Sequence, residues 1–178
     1  MPIYPARAHV FVDESKTKGY FVAAAAVLPN DAGTADKALR KLVRPGQERI
    51  HFKSEDAGSK KKLLSQMLQL PVLVNLYIVK GRNDKEARTL CLNALVQDLV
   101  AARVSKLLIE RDESLEQADR RTIATALRVV GYQLAYDHVG PKEHAVLWVS
   151  DAVAWCHQAG GDWVRRAAPL VGAVRHLG

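Results

Sequence analysis

Cysteine is nearly absent from the chain: Cys91 and Cys156 are the only two, each inside an apolar helical pattern. Without a Cys-x-x-Cys pair, zinc-finger spacing is excluded. Two buried thiols in a reducing compartment are the plain expectation. Aromatic residues make up only 6%, so aliphatic side chains and alanine must fill the core. Long apolar runs are missing too. No segment approaches the ~18 apolar residues of a membrane span, and the opening "MPIYPARAHV" holds no apolar leader core. These absences point to a soluble cytoplasmic protein. GxGxxG, the P-loop GxxxxGK[ST], the GxSxG elbow and HExxH are also absent.

What is present suits one modest globule. With 178 residues, 48% of them hydrophobic, the chain can build one sizeable core, and a single domain over residues 1–178 is expected. The formal net charge is +7 and the pI about 9.5. Such a balance favours polyanions, nucleic acid foremost, and says nothing of the fold.

Residues 8–14 and 19–28 read as two strands joined by the polar turn "SKTKG", an antiparallel hairpin. The run "AAAA" is a poor strand former, but Phe21, Val22, Val27 and Leu28 flank it. Pro29-Asn30-Asp31 breaks the second strand before a short helix near 34–43. A short strand is expected at Ile50-His51-Phe52. Leu63, Leu64, Met67 and Leu68 repeat at helical spacing over 59–69, and Pro71 ends that helix. "VLVNLYIV" (72–79) is the clearest strand. Asn83 with Glu86 starts a helix to about Arg103, and Ser114 with Gln117 starts another to about His138. The strand "SKLLIE" (105–110) lies between them. "HAVLWVS" (144–150) reads as the last strand, running into a helix at "DAVAWCHQAGG"; a short helix from Asp162 ends near Pro169.

A hairpin first and helix-connected strands later imply an α/β fold, a mixed sheet with helices on both faces. A phospho-acceptor domain is excluded, because "SKTKG" is too short for a crossover helix. An exposed edge beside the hairpin would let two copies pair as a homodimer.

Strands that end in acid are the main chemical signal. The first closes on Asp13 and Glu14, "LLIERDES" on Glu110, Asp112 and Glu113, and the last reaches Asp151 through Ser150. A charge at the end of a core strand is costly unless something pairs it. Alternate residues of an extended segment share a face, so Glu110 and Asp112 point one way and Arg111 the other. If these strands are neighbours, their carboxylates converge and repel. A hard divalent cation, Mg2+ or Mn2+, relieves that with oxygen ligands alone. A pair of such ions suits phosphodiester hydrolysis, one activating water and the other steadying the leaving oxygen. Each acid also has a plain structural reading. Asp151 would cap a helix or sit in its first turn, Asp112 would open the turn before Ser114, and Glu14 and Glu113 would be solvated. Asp13 resists, since "FVD" leaves little room before the turn.

At these residues the chain resembles domain-of-unknown-function family 3800. "VFVDES" followed by "YFVAAAAVLP", then "RIHFKS", "VNLYIVKGR" and "LWVSDAVAWCHQ", are similar to successive segments of that family over about residues 8–160. The resemblance implies an RNase H-like α/β fold: a mixed five-stranded or slightly larger sheet, its first three strands antiparallel. It further implies a metal-dependent nuclease site with carboxylates on the first strand, a middle strand and the last helix. Carried over, these are Asp13, then Asp112 or Glu110, then Asp151, holding Mg2+ or Mn2+, with Glu14 as a helper. Lys16 stands where the family usually has Gly, and Trp148-Val149-Ser150 replaces its usual Gln-apolar-Ala.

Basic residues surround these acids. His51 in "RIHFKS" would shuttle a proton or contact substrate; a partly buried structural histidine is the competing reading. Lysines and arginines crowd residues 37–62, and Arg49, Lys53, Lys60 and Lys61 are the candidates for binding a nucleic-acid backbone. An ordinary solvated surface competes. Trp155 and Trp163 would stack on bases, although Val153, Cys156 and Val164 beside them favour core packing. The leading expectation is a metal-dependent nuclease acting on RNA or DNA. A non-catalytic nucleic-acid- or protein-binding module comes second and a metal-dependent phosphatase third.

Overall fold

The computed structural model describes residues 1–178. At its centre lie β1 (His9–Ser15) and β2 (Tyr20–Val27), an antiparallel hairpin that sets Asp13 opposite Ala23. The turn takes its positive φ at Gly19 (+112°), a backbone that residues with a Cβ rarely adopt. Lys16, in place of the family's glycine, therefore needs no special conformation. Gln158 clamps the turn: its Nε2 donates to the carbonyls of Ser15 and Gly19, and its Oε1 accepts from the Lys18 amide at 2.9 Å.

β3 (Leu73–Val79) pairs antiparallel with β2, so the first three strands alternate in direction as expected. β4 (Lys106–Glu110) runs parallel to β1, β5 (Ala135–Val139) parallel to β4, and β6 (Val171–Leu177) parallel to β3. The result is a six-stranded mixed sheet in the order β5-β4-β1-β2-β3-β6. The hairpin is central and has no free edge, so the expected pairing of two copies through it has no place; the free edges are β5 and β6.

The strand pleat sorts the core onto two faces. Phe11, Ala23, Ala25, Val74, Leu76 and Leu108 point to α1 (Pro29–Arg40), α2 (Ala57–Met67) and α5 (Val146–Ala159). Val10, Val12, Val22, Ala24, Leu107 and Ile109 point to α3 (Asp84–Ala101) and α4 (Glu116–Val130). The alanines are strand despite their propensity, because both faces of β2 are buried and small side chains let a helix approach closely. α6 (Asp162–Ala167) leads through a short turn of 3-10 helix into β6.

Several elements differ from the sequence expectation. Residues 144–150 are not a strand: α5 starts at Val146 and is mostly apolar, the mark of a buried helix. A short apolar run has no periodicity to separate the two readings. Pro29 begins α1 at the first helical turn, where its missing amide is harmless. Phe52–Ser54 form a 3-10 turn rather than a strand with Ile50. α4 stops at Gly131, in the left-handed region at φ +65°, which frees Ala135–Val139 to form β5. The capping side chain at Asn83 is present, accepting from the Glu86 amide at 2.9 Å. The Ser114–Gln117 box is not: α4 begins at Glu116, and Asp112 accepts from Ser114 instead. β6 follows the last expected helix.

β6 closes tightly on β3. Asn75 Oδ1 accepts from the Ala173 amide at 2.7 Å while its Nδ2 donates to the Ile3 carbonyl at 3.0 Å, and the strand register shifts there. A Cβ on Gly172 would lie 2.6 Å from Asn75 Oδ1 and 2.9 Å from Leu73. Gly172→Ala is therefore expected to destabilise the fold by about 1–3 kcal/mol, read as a lower urea midpoint. An unchanged midpoint would show slack between β3 and β6.

Candidate functional site

β1 and β4 are parallel neighbours in register, with Val12 beside Ile109, so Asp13 and Glu110 emerge together at their C-terminal ends. Both follow the pleat of Phe11 and Leu108 and face α5. α5 is fastened over β1 by Ser150, whose buried hydroxyl donates to the Phe11 carbonyl at 2.7 Å. The next residue, Asp151, thereby joins the strand-end acids. It lies well inside the helix, so it neither caps α5 nor occupies its first turn. Asp151 Oδ2 accepts from the Phe52 amide at 3.2 Å, which ties the 3-10 turn to the site.

Two of these carboxyls, Asp13 and Asp151, are disturbed by their surroundings. Asp13 is held well above the usual aspartate range by burial first, then by a hydrogen bond to Glu110 and the charges of Glu110 and Asp151; the Glu14 amide, donating at 2.7 Å, offsets part of this. Asp151 is also raised, again mainly by burial, against the pull of the Phe52 amide, His51 and Arg49. Burial and the neighbouring carboxyls thus favour the protonated form of Asp13. The nearest basic partner of Glu110 is Arg49, at 3.8 Å. No group of three or more His, Cys, Asp or Glu side chains converges on one point that would hold a metal ion.

The other expected site residues are engaged differently, although Glu14 and Asp112 line the same cleft as Asp13 and Glu110. Asp112 sits on the turn after β4, and its Oδ1 accepts from the Ser114 amide and hydroxyl at 3.1 and 2.6 Å. Those bonds hold its carboxyl below the usual range. Glu14 belongs to the opposite face, where it meets Arg88, Tyr20 and Lys16. Glu113 is exposed, as its solvated reading requires. His51 is exposed beside Asp151, its Nδ1 3.4 Å from Ser54 Oγ. Lys53 and Lys61 are exposed. Lys60 is not free for a phosphate: it is buried, donates to the Glu55 carbonyl at 2.7 Å and stands 4.3 Å from the Trp155 ring centre. Trp155 packs edge-on against Trp163 and Phe52, at 5.2 and 5.5 Å, which favours its core-packing reading over base stacking.

A second polar cluster, absent from the sequence expectations, backs the site. Arg88 of α3 donates to both oxygens of Asp119 at 2.7 Å, to Tyr20 Oη at 2.9 Å and to Glu14. His138 Nε2 lies 2.9 Å from Asp119 Oδ2, while its buried Nδ1 has no partner. Burial pushes Asp119 up, but the bonds from Arg88 and His138 win and hold it below the usual range. The available signal was a charge on an apolar stripe: Arg88 precedes Cys91 and Leu92 at helical spacing, and Asp119 precedes Ile123.

Two clefts flank the acids. One, of about 420 Å³, reaches from Asp13 and Glu110 across the strand ends to Arg88 and Leu92. The other, of about 320 Å³, has no hydrophobic lining and includes Arg49, His51 and Lys142. No helix is long and apolar enough to cross a membrane.

Comparison with known proteins supports the fold class. No protein-family model matches the chain, so the resemblance to family 3800 rests on its short motifs alone. No curated protein matches either. Among solved structures, the chain is similar to an RNase HII in the PCNA:RNase HII complex from Archaeoglobus fulgidus, with 12% identity and a TM-score of 0.55. The match covers 85% of this chain and 72% of that one. The architecture is therefore an α/β fold with an RNase H-like neighbour, its six-stranded sheet within the expected five or slightly more strands.

Predictions follow from both faces of β1. Removing Arg88 leaves Asp119 buried without its main partner, so Arg88→Ala should cost about 3–5 kcal/mol in urea unfolding; a loss below 1 kcal/mol, on the scale of about one hydrogen bond, would contradict the pairing. For Asp13 the sign is opposite. A raised folded-state value means the folded chain binds a proton more readily than the unfolded one. Stability is then greatest in acid and lost as pH rises from the ordinary aspartate range through the folded value. In chelator at pH 8, Asp13→Asn should melt about 2–6 °C above wild type, the gap closing towards pH 4. Equal melting at both pH values would mean that no charge is trapped there.

Proposed function

We propose that the chain is a divalent-metal-dependent nuclease hydrolysing phosphodiester bonds of RNA or DNA, with Asp13, Glu110 and Asp151 as its working carboxylates. One observation carries this reading: acids from β1, β4 and α5 lie close enough for Glu110 and Asp151 to act on Asp13, and Asp13 and Asp151 are pushed towards their protonated form. Nothing in the packing requires acids there, and such clustered perturbation marks functional sites. The likeness to an RNase HII fold supports the same class of chemistry.

The residues suit a hard cation. All the donors are carboxylate oxygens, and Mg2+ is commonly held by one or two carboxylates completed by water and substrate phosphate, not by a full protein cage. The Asp13–Glu110 pair meets that requirement without a preformed three-ligand cluster. Asp13 and Glu110 would hold the ion, with Asp151 completing its shell directly or through water. When bound, Mg2+ or Mn2+ supplies Lewis-acid stabilisation of the phosphoryl charge and a more acidic attacking water. The chain's own groups do the rest. Asp13, whose carboxyl burial holds above its ordinary range, would release its proton as a cation takes its place. Arg49 and His51 orient the phosphate from the polar cleft, and exposed Lys53 and Lys61 attract the backbone at longer range. His51 returns a proton to the leaving oxygen. Asp112 guards the mouth of the site from its turn.

Calorimetric Mn2+ titration and cleavage of mixed RNA and DNA strands test the reading, with folding of each protein verified by circular dichroism. Asp13→Asn should lose Mn2+ binding, and Asp13→Asn and Asp151→Asn should each cut at least about a hundredfold more slowly than wild type. Full cleavage by both variants would overturn the proposal. Salt-sensitive nucleic-acid binding that ignores both substitutions and chelator, with no cleavage, would instead identify a binding module.

A further inference from the structure

The two clefts beside the acids are chemically unlike, and the difference says how a strand lies across the site. The polar cleft holds Arg49 and His51 beside Glu55 and the Lys142–Glu48 ion pair, and gives a base nothing apolar to rest on. The cleft of about 420 Å³ does offer an apolar surface. Its floor is Val12, Val22, Leu92 and Ile109, from three strands and α3. Its rim carries exposed Lys16, paired with Glu14 at 3.2 Å, and exposed Arg111, which donates to the His138 carbonyl at 2.7 Å, together with Asp112. The floor is held rigid from behind by Arg88, locked between Asp119 and Glu14. Four of the eleven lining residues are apolar and the other seven are charged, so the floor alone offers an apolar surface, and the volume lies near the low end of the ~300–1,000 Å³ range of small-ligand pockets.

We infer that this cleft receives one unpaired nucleobase of the nucleic-acid chain whose phosphate sits at Asp13 and Glu110. The inference rests on the nuclease reading for the position of that phosphate. A sugar and a base are covalently next to any such phosphate, and the cleft opens from the same two carboxylates. The aliphatic floor takes the face of the base, while Lys16 and Arg111 meet the charge of the adjoining phosphate. A base cannot enter while its Watson–Crick edge is paired, so the substrate is a single strand, a loop or a locally opened duplex. A base in a continuous duplex stays outside.

Methyl-resolved NMR on the intact protein tests this without any substitution. The titrants are a single-stranded tetranucleotide, the same tetranucleotide with its internal bases replaced by abasic residues, and a short blunt duplex. Each is added once in chelator and once with Ca2+. The methyls of Val12, Val22, Leu92 and Ile109 should shift with the first and stay in place with the abasic strand. The single strand should also bind at least tenfold more tightly than the duplex. Unmoved floor methyls under both conditions, equal shifts with the abasic strand, or tighter duplex binding would each overturn the inference. The Mn2+ and cleavage assays report separately on the acids. Cleavage with silent floor methyls removes the base subsite and leaves the nuclease. Shifted methyls without cleavage or Mn2+ binding keep the subsite and remove the nuclease.

Discussion

The buried hydroxyl of Ser150, donating to the Phe11 carbonyl at 2.7 Å, fixes how closely α5 lies on the two central strands, and the site depends on that contact. The approach is feasible because β2 offers alanine at Ala23 and Ala25 beneath the helix, and because most of α5 is apolar and buried. With the helix so placed, Asp151 reaches the strand-end acids. Gln158, seven residues and about 10 Å further along the same helix face, grips the hairpin turn. One helix therefore positions an acid at one end and braces the loop following Asp13 and Glu14 at the other.

The pleat of β1 separates two electrostatic regimes that are one residue apart. Glu14 turns towards α3 and is fully paired, in a network where Arg88 also satisfies Asp119. Asp13 turns towards α5 and meets further carboxyls. The contrast matters because a buried charge is costly when unpaired and the chain evidently can pair one. Local disagreement with the rules of stable packing concentrates at functional sites. The paired network also forms the back wall of the cleft beside Asp13, so the stable face supports the strained one.

The RNase HII neighbour, at 12% identity, speaks to the arrangement of strands and helices. The chemical reading rests on this chain's own residues: oxygen donors from three separate elements, a polar cleft on one flank and an apolar-floored cleft on the other. The apolar-floored cleft lies at the ends of β1 and β4, where the carboxylates leave the sheet, and the polar cleft adjoins it through Arg49, 3.8 Å from Glu110. A strand of nucleic acid crossing them would pass its charge over Arg49 and present its base to Val12 and Leu92.

Much of the architecture was legible in the pattern of residues. Alternation and turn chemistry marked the hairpin, β3 and β4, and strand-end acids marked Asp13, Asp112 or Glu110, and Asp151 as one set. These signals are local, set by the twofold strand period and by the cost of ending an apolar strand in charge. Three things were decided only by tertiary packing. The apolar run 144–150 became helix because it is buried on all sides, and a uniform run carries no period. Glu110, not Asp112, meets Asp13, because the parallel register of β1 and β4 ends where it does and Asp112 is drawn into the turn by Ser114. Arg88, Asp119 and His138 became partners across α3, α4 and β5, which no spacing in the chain encodes. The sequence by itself determined which strands carry acid and which face each residue of a strand must take. Which acids meet, and which are neutralised, depended on long-range packing that brings distant elements within a few ångström of one another.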